Sequence, residues 1–287
     1  MKIAIASGKG GTGKTLVSVN LAVTNSKETL LLDCDVEEPN DRVFFDELSQ
    51  SHTRRVSIKI PRIDNSVCIS CKACVNACQF NALAMLADRV MIFDELCHAC
   101  GACAYVCPPG AISWIDKPIG TITGWAGSSV NLIQGQMDVG ISMPVPLIRE
   151  LKKEALYSHE TVILDSPPGT SCPMVWTVLG CDAALLVTEP TPFGLHDLQL
   201  AVDTIRTMGM PFGVVINKDG IGDDQVDSYC NQEHIPIMGR IGYDLMIAKT
   251  YARGKIIVEQ LEQYRAIFSS IWDNIERLVG TKGTSHG

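Results

Sequence analysis

Eight of the twelve cysteines fall between Cys68 and Cys107, in two runs of identical spacing. Cys68-x2-Cys71-x2-Cys74-x3-Cys78 is followed by Cys97-x2-Cys100-x2-Cys103-x3-Cys107, and the second run closes on Pro108. Disulfides are rare in a reducing compartment, so this many thiols in a chain expected to be cytoplasmic points to metal or redox chemistry. Three thiolates on one tight loop suit a cubane of iron and sulfide, whose remaining iron takes a cysteine beyond the next turn. Zinc is the rival metal. A structural zinc usually draws two cysteines from each of two loops, and three in one x2-x2 run are awkward for it. Ala73, Ala77, Ala99, Gly101 and Ala102 keep the loops small, so that backbone N–H groups can approach sulfur. Gln79 stands where the second run has its proline, which touches a turn and no ligand. His98 lies inside a set of cysteines that is already complete.

A second constellation would handle phosphate. Gly8-Lys9-Gly10-Gly11-Thr12-Gly13-Lys14-Thr15 follows a short apolar run and opens a helical one. Glycines let such a loop wrap a polyphosphate with its N–H groups inward, and the helix N-terminus adds partial positive charge. Lys14 would reach the β and γ phosphates, and the Thr15 hydroxyl would bind Mg²⁺. Asp33-Cys34-Asp35 and Asp165-Ser166-Pro167-Pro168-Gly169 each close an apolar run, where ligands collect in parallel sheets. Asp165 suits a Mg²⁺-holding role through water, Asp35 the attacking water, and the Gly169 N–H the γ-phosphate. Either aspartate alone reads equally well as a cap or turn residue; the two in order after the loop read as a site.

The elements that must position these groups alternate. Lys2–Ala6, Thr29–Leu32, Thr161–Leu164, Ala183–Thr188 and Phe212–Asn217 read as buried strands, with Arg55–Ile60 a weaker one. Helical stretches are expected near 15–24, 146–156, 195–208 and 223–232, and as one amphipathic helix over 257–279. This is an α/β pattern, a mostly parallel sheet with helices on both faces. The texture changes between about 61 and 116, so the cysteine stretch reads as an insertion, with 1–60 and 117–287 forming one discontinuous domain. The insertion lies between the Asp35 and Asp165 segments, which gives nucleotide state a covalent route to it. Net charge is −8, against broad nucleic-acid binding. No apolar run has the roughly 18 residues of a membrane span. Met1-Lys2 leads directly into the first strand with no room for a signal peptide. The polar face of 257–279 mixes acids and bases, so that helix is expected on the core, not on a membrane surface. Residues 281–287 read as a loose polar tail.

Two resemblances follow from these motifs. The cysteine runs resemble bacterial two-cluster ferredoxins, whose spacing assigns the fourth cysteine of each run to the other cluster. One [4Fe-4S] cluster then takes Cys68, Cys71, Cys74 and Cys107, and the other Cys97, Cys100, Cys103 and Cys78. Lys9, an extra lysine near the start of the phosphate loop, resembles the deviant Walker A signature of the MinD/ParA superfamily, which includes the nitrogenase iron protein and Mrp-like ATPases. That resemblance covers 1–60 and about 117–280. It implies an ATP-hydrolysing dimer, either a homodimer or a heterodimer with a paralogous ATPase, in which Lys9 crosses to the partner's phosphates. It also implies that Asn217 reads adenine. Asn217-Lys218-Asp219-Gly220 departs from the guanine signature at Gly220, which favours ATP over GTP. Together the motifs resemble MinD-superfamily ATPases with an inserted bacterial-ferredoxin-like α+β domain. The uses this combination allows are electron transfer to a redox partner, assembly or delivery of a metallocluster, and a positioning ATPase with redox-sensing clusters. Cys172 shares its offset from Asp165 with a cluster-ligating cysteine of the nitrogenase iron protein. It is a candidate bridging ligand or, equally, a small residue in a turn. Cys34, Cys181 and Cys230 read as core or incidental.

Overall fold

A computed structural model of the protein describes residues 1–156 and 160–280; the expected tail at 281–287 lies outside the described residues. The chain forms two compact units. The first comprises Met1–Arg54, Ile122–Gln136 and the chain from Ile148 onward; the second comprises Arg55–Thr121 and Met137–Leu147.

The elements in chain order begin with β1 (Lys2–Ala6), α1 (Lys14–Thr24), β2 (Thr29–Asp33) and β3 (Ser49–Ile63). The cysteine region contributes α2 (Ala73–Ala77), β4 (Leu83–Leu86), β5 (Arg89–Ile92) and α3 (Ala102–Tyr105). There follow β6 (Ile112–Ala126), β7 (Val130–Met137), α4 (Pro144–Lys152), β8 (Thr161–Asp165), α5 (Cys172–Val178), β9 (Ala183–Thr188) and α6 (Pro192–Thr207). The chain continues through β10 (Phe212–Asp219), α7 (Gln225–Gln232), β11 (Ile237–Gly242), α8 (Leu245–Tyr251), α9 (Ile257–Gln260) and α10 (Arg265–Gly280).

The fold is α/β, built on a sheet of order β11-β10-β9-β1-β8-β2-β7-β6-β3. From β11 to β7 every neighbouring pair is parallel. Strands β2, β8 and β9 are buried at every position, which is why they read as unbroken apolar runs and not as alternating ones. Register matters for the chemistry. Asp33 of β2 pairs with Asp165 of β8, and Asp165 pairs in turn with Ile5 of β1. Both aspartates therefore end on one edge of the sheet, beside the turn from β1 into α1.

Two expectations needed revision. The amphipathic stretch 257–279 is not one helix. It breaks at Leu261 (φ −130°, ψ 82°) into α9, a short 3-10 turn and α10. The Val258 N–H donates to the buried Asn20 Oδ1 at 2.9 Å, and Tyr264 donates to Asp244 at 2.5 Å. Both pieces bury their apolar faces in one core, so the periodicity survives the break. The third strand is also much longer than 55–60, reaching from Ser49 to Ile63. β6 reads ISWIDKPIGTITGWA, with Pro118 and two glycines, and its first residues are exposed. Only its sheet neighbours make it a strand.

In the second unit β4 and β5 form an antiparallel hairpin, turned at Ala87 (φ 50°). Its core is small: Cys74, Leu83 and Cys103, with Ile63, Val75, Cys78, Val90, Ile92 and Ile112 against them. The segment Met137–Leu147, which no sequence feature marks, groups with this unit.

Candidate nucleotide site and cysteine clefts

Gly8–Thr15 connects β1 to α1. Gly13 sits in the left-handed region (φ 96°), and a Cβ there would fall 2.2 Å from the Asn217 side-chain nitrogen, so both backbone and space demand glycine. The Asn217 amide donates to the Thr12 carbonyl at 2.7 Å and so braces the loop from the end of β10. Lys14 is buried at the start of α1. Among the described residues the buried Thr12 hydroxyl has no hydrogen-bond partner, an orphan donor inside a loop whose remaining features suit phosphate.

Asp165 is held from two sides. Thr15 Oγ1 donates to one carboxylate oxygen at 2.6 Å and Ser18 Oγ to the other at 3.0 Å. Thr15 and Asp165, the two groups expected around Mg²⁺, are thus in contact. The Asp33 carboxylate accepts the N–H groups of Asp35, Asn40 and Asp41 and so shapes the loop that carries Asp35. Burial raises the Asp35 pKa to about 6, against the pull of Lys14. Gly169 is left-handed (φ 90°), and its N–H donates to the Ser7 carbonyl at 3.0 Å, which puts the 165–169 loop against the phosphate loop.

Three contributors were not legible in the sequence. Asp41 is fully buried, its oxygens have no donor among the described residues, and burial and the charges of Asp33 and Asp165 raise its pKa well above the carboxylate range. Tyr251 of α8 stacks near Phe44 at 4.9 Å, and burial pushes its phenol up to about 12. Glu189, just past β9, binds Lys9 at 2.8 Å and Lys218 at 3.0 Å. Asp41 opens a short 3-10 turn and Tyr251 ends α8, neither within a motif, and Glu189 follows its strand with no pattern to mark it.

The eight cysteines line two clefts, and each cleft draws on both runs. One is lined by Cys97, Cys100, Cys103 and Cys78. The other is lined by Cys68, Cys71, Cys74 and Cys107. The loops repeat one backbone path: Ser70 and Lys72 in the first, Ala99 and Gly101 in the second, all have positive φ. That path turns N–H groups toward sulfur. Burial raises the thiol pKa of Cys74, Cys97 and Cys103, while backbone N–H groups at Val75, Ala99 and Ala104 respectively oppose it. The Ala82 N–H donates to Cys78 Sγ at 3.3 Å. Among the described residues no three His, Cys, Asp or Glu side chains converge as a single ion would require. The thiols stand around cleft walls, an arrangement that fits a cage of several metal atoms. Phe80 stacks on His98 at 3.8 Å beside the first cleft. Cys172 is exposed, at the first position of α5.

The family profile of the CobQ/CobB/MinD/ParA nucleotide-binding domain matches residues 3–258. This chain belongs to that family. Its backbone is similar to that of the septum site-determining protein MinD of Pyrococcus horikoshii, solved with Mg-ADP, at a TM-score of 0.60 and 18% identity over 98% of each chain. At that identity the likeness concerns the fold. In sequence it is similar to the Methanocaldococcus jannaschii protein MJ0579, 31% identical over 259 residues, 89% of this chain and 90% of that one. It is also similar to the iron–sulfur cluster carrier protein of Pyrococcus furiosus, 23% identical over 272 residues, 85% of this chain and 74% of that one. As a MinD/ParA-type P-loop protein the chain has a nucleotide-binding domain, and the phosphate loop, Asp33–Asp35 and Asp165–Gly169 lie within the matched span. Among the described residues no helix is long and apolar enough to cross a membrane.

Proposed function

We propose that this chain is a dimeric ATPase that couples nucleotide state to iron–sulfur electron transfer. The loop Gly8–Thr15 would cradle the triphosphate, with Gly10, Gly11 and Gly13 giving backbone access and Lys14 facing the phosphates. Thr15 and Asp165 would hold Mg²⁺. Asp35, ionised above about pH 6, would orient the attacking water. Lys9 would cross to the phosphates of a second chain, either another copy or a paralogous ATPase, while Gly169 senses the γ-phosphate and Asn217 stands beside the base. Residues 61–116 would form an inserted ferredoxin-like domain with two [4Fe-4S] clusters, which supply one-electron storage and transfer. An unidentified redox protein would be the partner; nucleic acid and membrane insertion play no part.

The observation that carries this reading is the crossed lining of the clefts: Cys78 stands with the second run and Cys107 with the first.

The test is an anaerobic redox titration of the purified protein with no nucleotide, with ADP and with ATP, and with iron counted alongside. About eight irons per chain are expected. ATP should shift a potential on the order of 60 mV, a tenfold change for a one-electron couple. Potentials and transfer rates indifferent to nucleotide would remove the coupling. A second reading, cluster assembly or delivery, is favoured by the carrier-protein relative and by exposed Cys172 next to the 165–169 loop. It expects a labile extra cluster per dimer that Cys172→Ala abolishes; iron content unchanged by that substitution would count against it.

A further inference from the structure

Lys9 does not stand free at the mouth of the phosphate loop. Its ammonium donates to Glu189 Oε1 at 2.8 Å, and the other oxygen of that carboxylate accepts from Lys218 at 3.0 Å. Lys218 donates also to the Gly11 carbonyl at 3.2 Å. One carboxylate thus serves two lysines, one on the phosphate loop and one beside Asn217 at the end of β10. The group is partly enclosed, with side-chain exposures of 29% for Lys9, 13% for Glu189 and 38% for Lys218.

The carboxylate is held by its surroundings as well as by its partners. A Cβ on Gly194, in the first turn of α6, would fall 2.2 Å from the Glu189 carbonyl oxygen and 3.0 Å from its Cγ. A Cβ on Gly222 would fall 1.3 Å from the Pro190 carbonyl oxygen. The Thr191 N–H donates to the Glu189 carbonyl at 2.8 Å. The Glu189-Pro190 backbone is therefore wedged between two glycine surfaces, with Gly194 also close to the Glu189 Cγ. Burial alone would raise its pKa, yet the two ammoniums hold it below the usual value.

This arrangement has a consequence for Lys9. Removing one partner from an enclosed ion pair is costly chiefly because it leaves the other charge uncompensated. Here it does not, because Lys218 stays. Lys9 can leave and return while Glu189 remains neutralised. We propose that Glu189 is a positioning residue that holds Lys9 in cis and releases it to the phosphates bound by a second chain, with Lys218 as the counter-ion that makes the release reversible. The inference rests on the reading above that Lys9 crosses.

Two substitutions on either side of this carboxylate should act in opposite directions. Glu189→Gln keeps the shape and removes the charge, which frees Lys9. Lys218→Met leaves Lys9 as the sole counter-ion and holds it more tightly. The experiment is anaerobic sedimentation of the full-length chain with Mg²⁺ and a non-hydrolysable ATP analogue across a series of protein concentrations. Analogue affinity is measured separately on dilute protein. Relative to the parent, Glu189→Gln should reach half-association at a protein concentration about two- to fivefold lower, and Lys218→Met at one higher by a similar factor, the range for a partly exposed pair. Analogue affinity should change less than association in both.

A carboxylate that only braces the loop would weaken analogue binding in both variants and move association the same way in both; that result overturns the proposal. Lys9→Ala separates the underlying reading. If the parent fails to associate with the analogue, or if Lys9→Ala associates as the parent does, the crossing of Lys9 is wrong and the latch falls with it. If Lys9→Ala blocks association while the other two variants shift it in one direction, crossing stands and the latch alone is removed.

Discussion

Asp33, Asp41 and Asp165 are buried together, and burial raises the pKa of each; repulsion from the neighbouring carboxylates adds to this for Asp33 and Asp41, while Thr15, Lys14, Ser18 and Asp41 oppose it at Asp165. A carboxyl group whose folded pKa exceeds its unfolded one binds its proton more tightly when folded. Stability from this source is present at low pH and is lost as pH rises from about 4 through the folded values. Asp41→Asn removes one charge from the trio and keeps a group able to donate to Asp165. In the absence of Mg²⁺ the variant should melt higher than the parent at pH 8, by about 2–4 °C for each kcal/mol recovered. The two should converge toward pH 4. Parallel melting curves across this range would show that Asp41 is not held protonated. At this scale the phosphate loop and the eight cysteines were legible because each motif is local, its residues set by spacing along one loop. Asp41 and Glu189 were not, because each gains its role from groups far away in sequence.

At the scale of elements, the two cysteine loops behave as a repeat. Each places positive-φ residues between its cysteines, follows them with a short helix, and sends its last cysteine to the other cleft. The helices α2 and α3 are too short to be stable alone, so their ends depend on what the thiols hold. With the two clusters proposed above, Cys78→Ser should disturb the one assigned to the second run, Cys97 to Cys103, and leave the one assigned to the first intact. Electron paramagnetic resonance of the reduced protein would show one altered and one parental signal. Loss confined to the cluster of Cys68 to Cys74 would contradict the crossed assignment. Elements were legible where they are wholly buried, as in β2, β8 and β9. They were misread where the backbone turns inside a periodic stretch, as at Leu261, and cut short where strand pairing extends them, as in β3.

At the scale of the molecule, chain connectivity is what makes the proposed coupling physical. The cysteine region departs from the sheet after the Asp33–Asp35 segment and returns before Asp165. Strands β3 and β6 run through residues of both compact units. Helix α4 likewise begins in the Met137–Leu147 segment of the second unit and ends at Lys152 in the first. There Lys152 donates to the carbonyls of Trp176, Thr177 and Leu179, at 2.7, 2.8 and 2.5 Å, at the end of the helix that Cys172 begins. The nucleotide-dependent redox titration is a test of the whole chain for this reason, since neither unit alone contains both ends of the path.

The sequence by itself determined the phosphate-loop motif, the two cysteine runs as repeats of one spacing, and the α/β class. These rest on short-range constraints: residue spacing within a loop, and the unbroken apolar runs that a doubly covered parallel strand requires. Tertiary structure alone decided which carboxylates share a buried pocket, that Asn217 braces the loop at Thr12, and that Lys9 rests on Glu189 with Lys218 in reserve. The physical reason is that strand register and the close approach of helix to turn bring these charges together. Their energies depend on a few ångströms of distance and on exclusion of water, neither of which is written in any stretch of sequence.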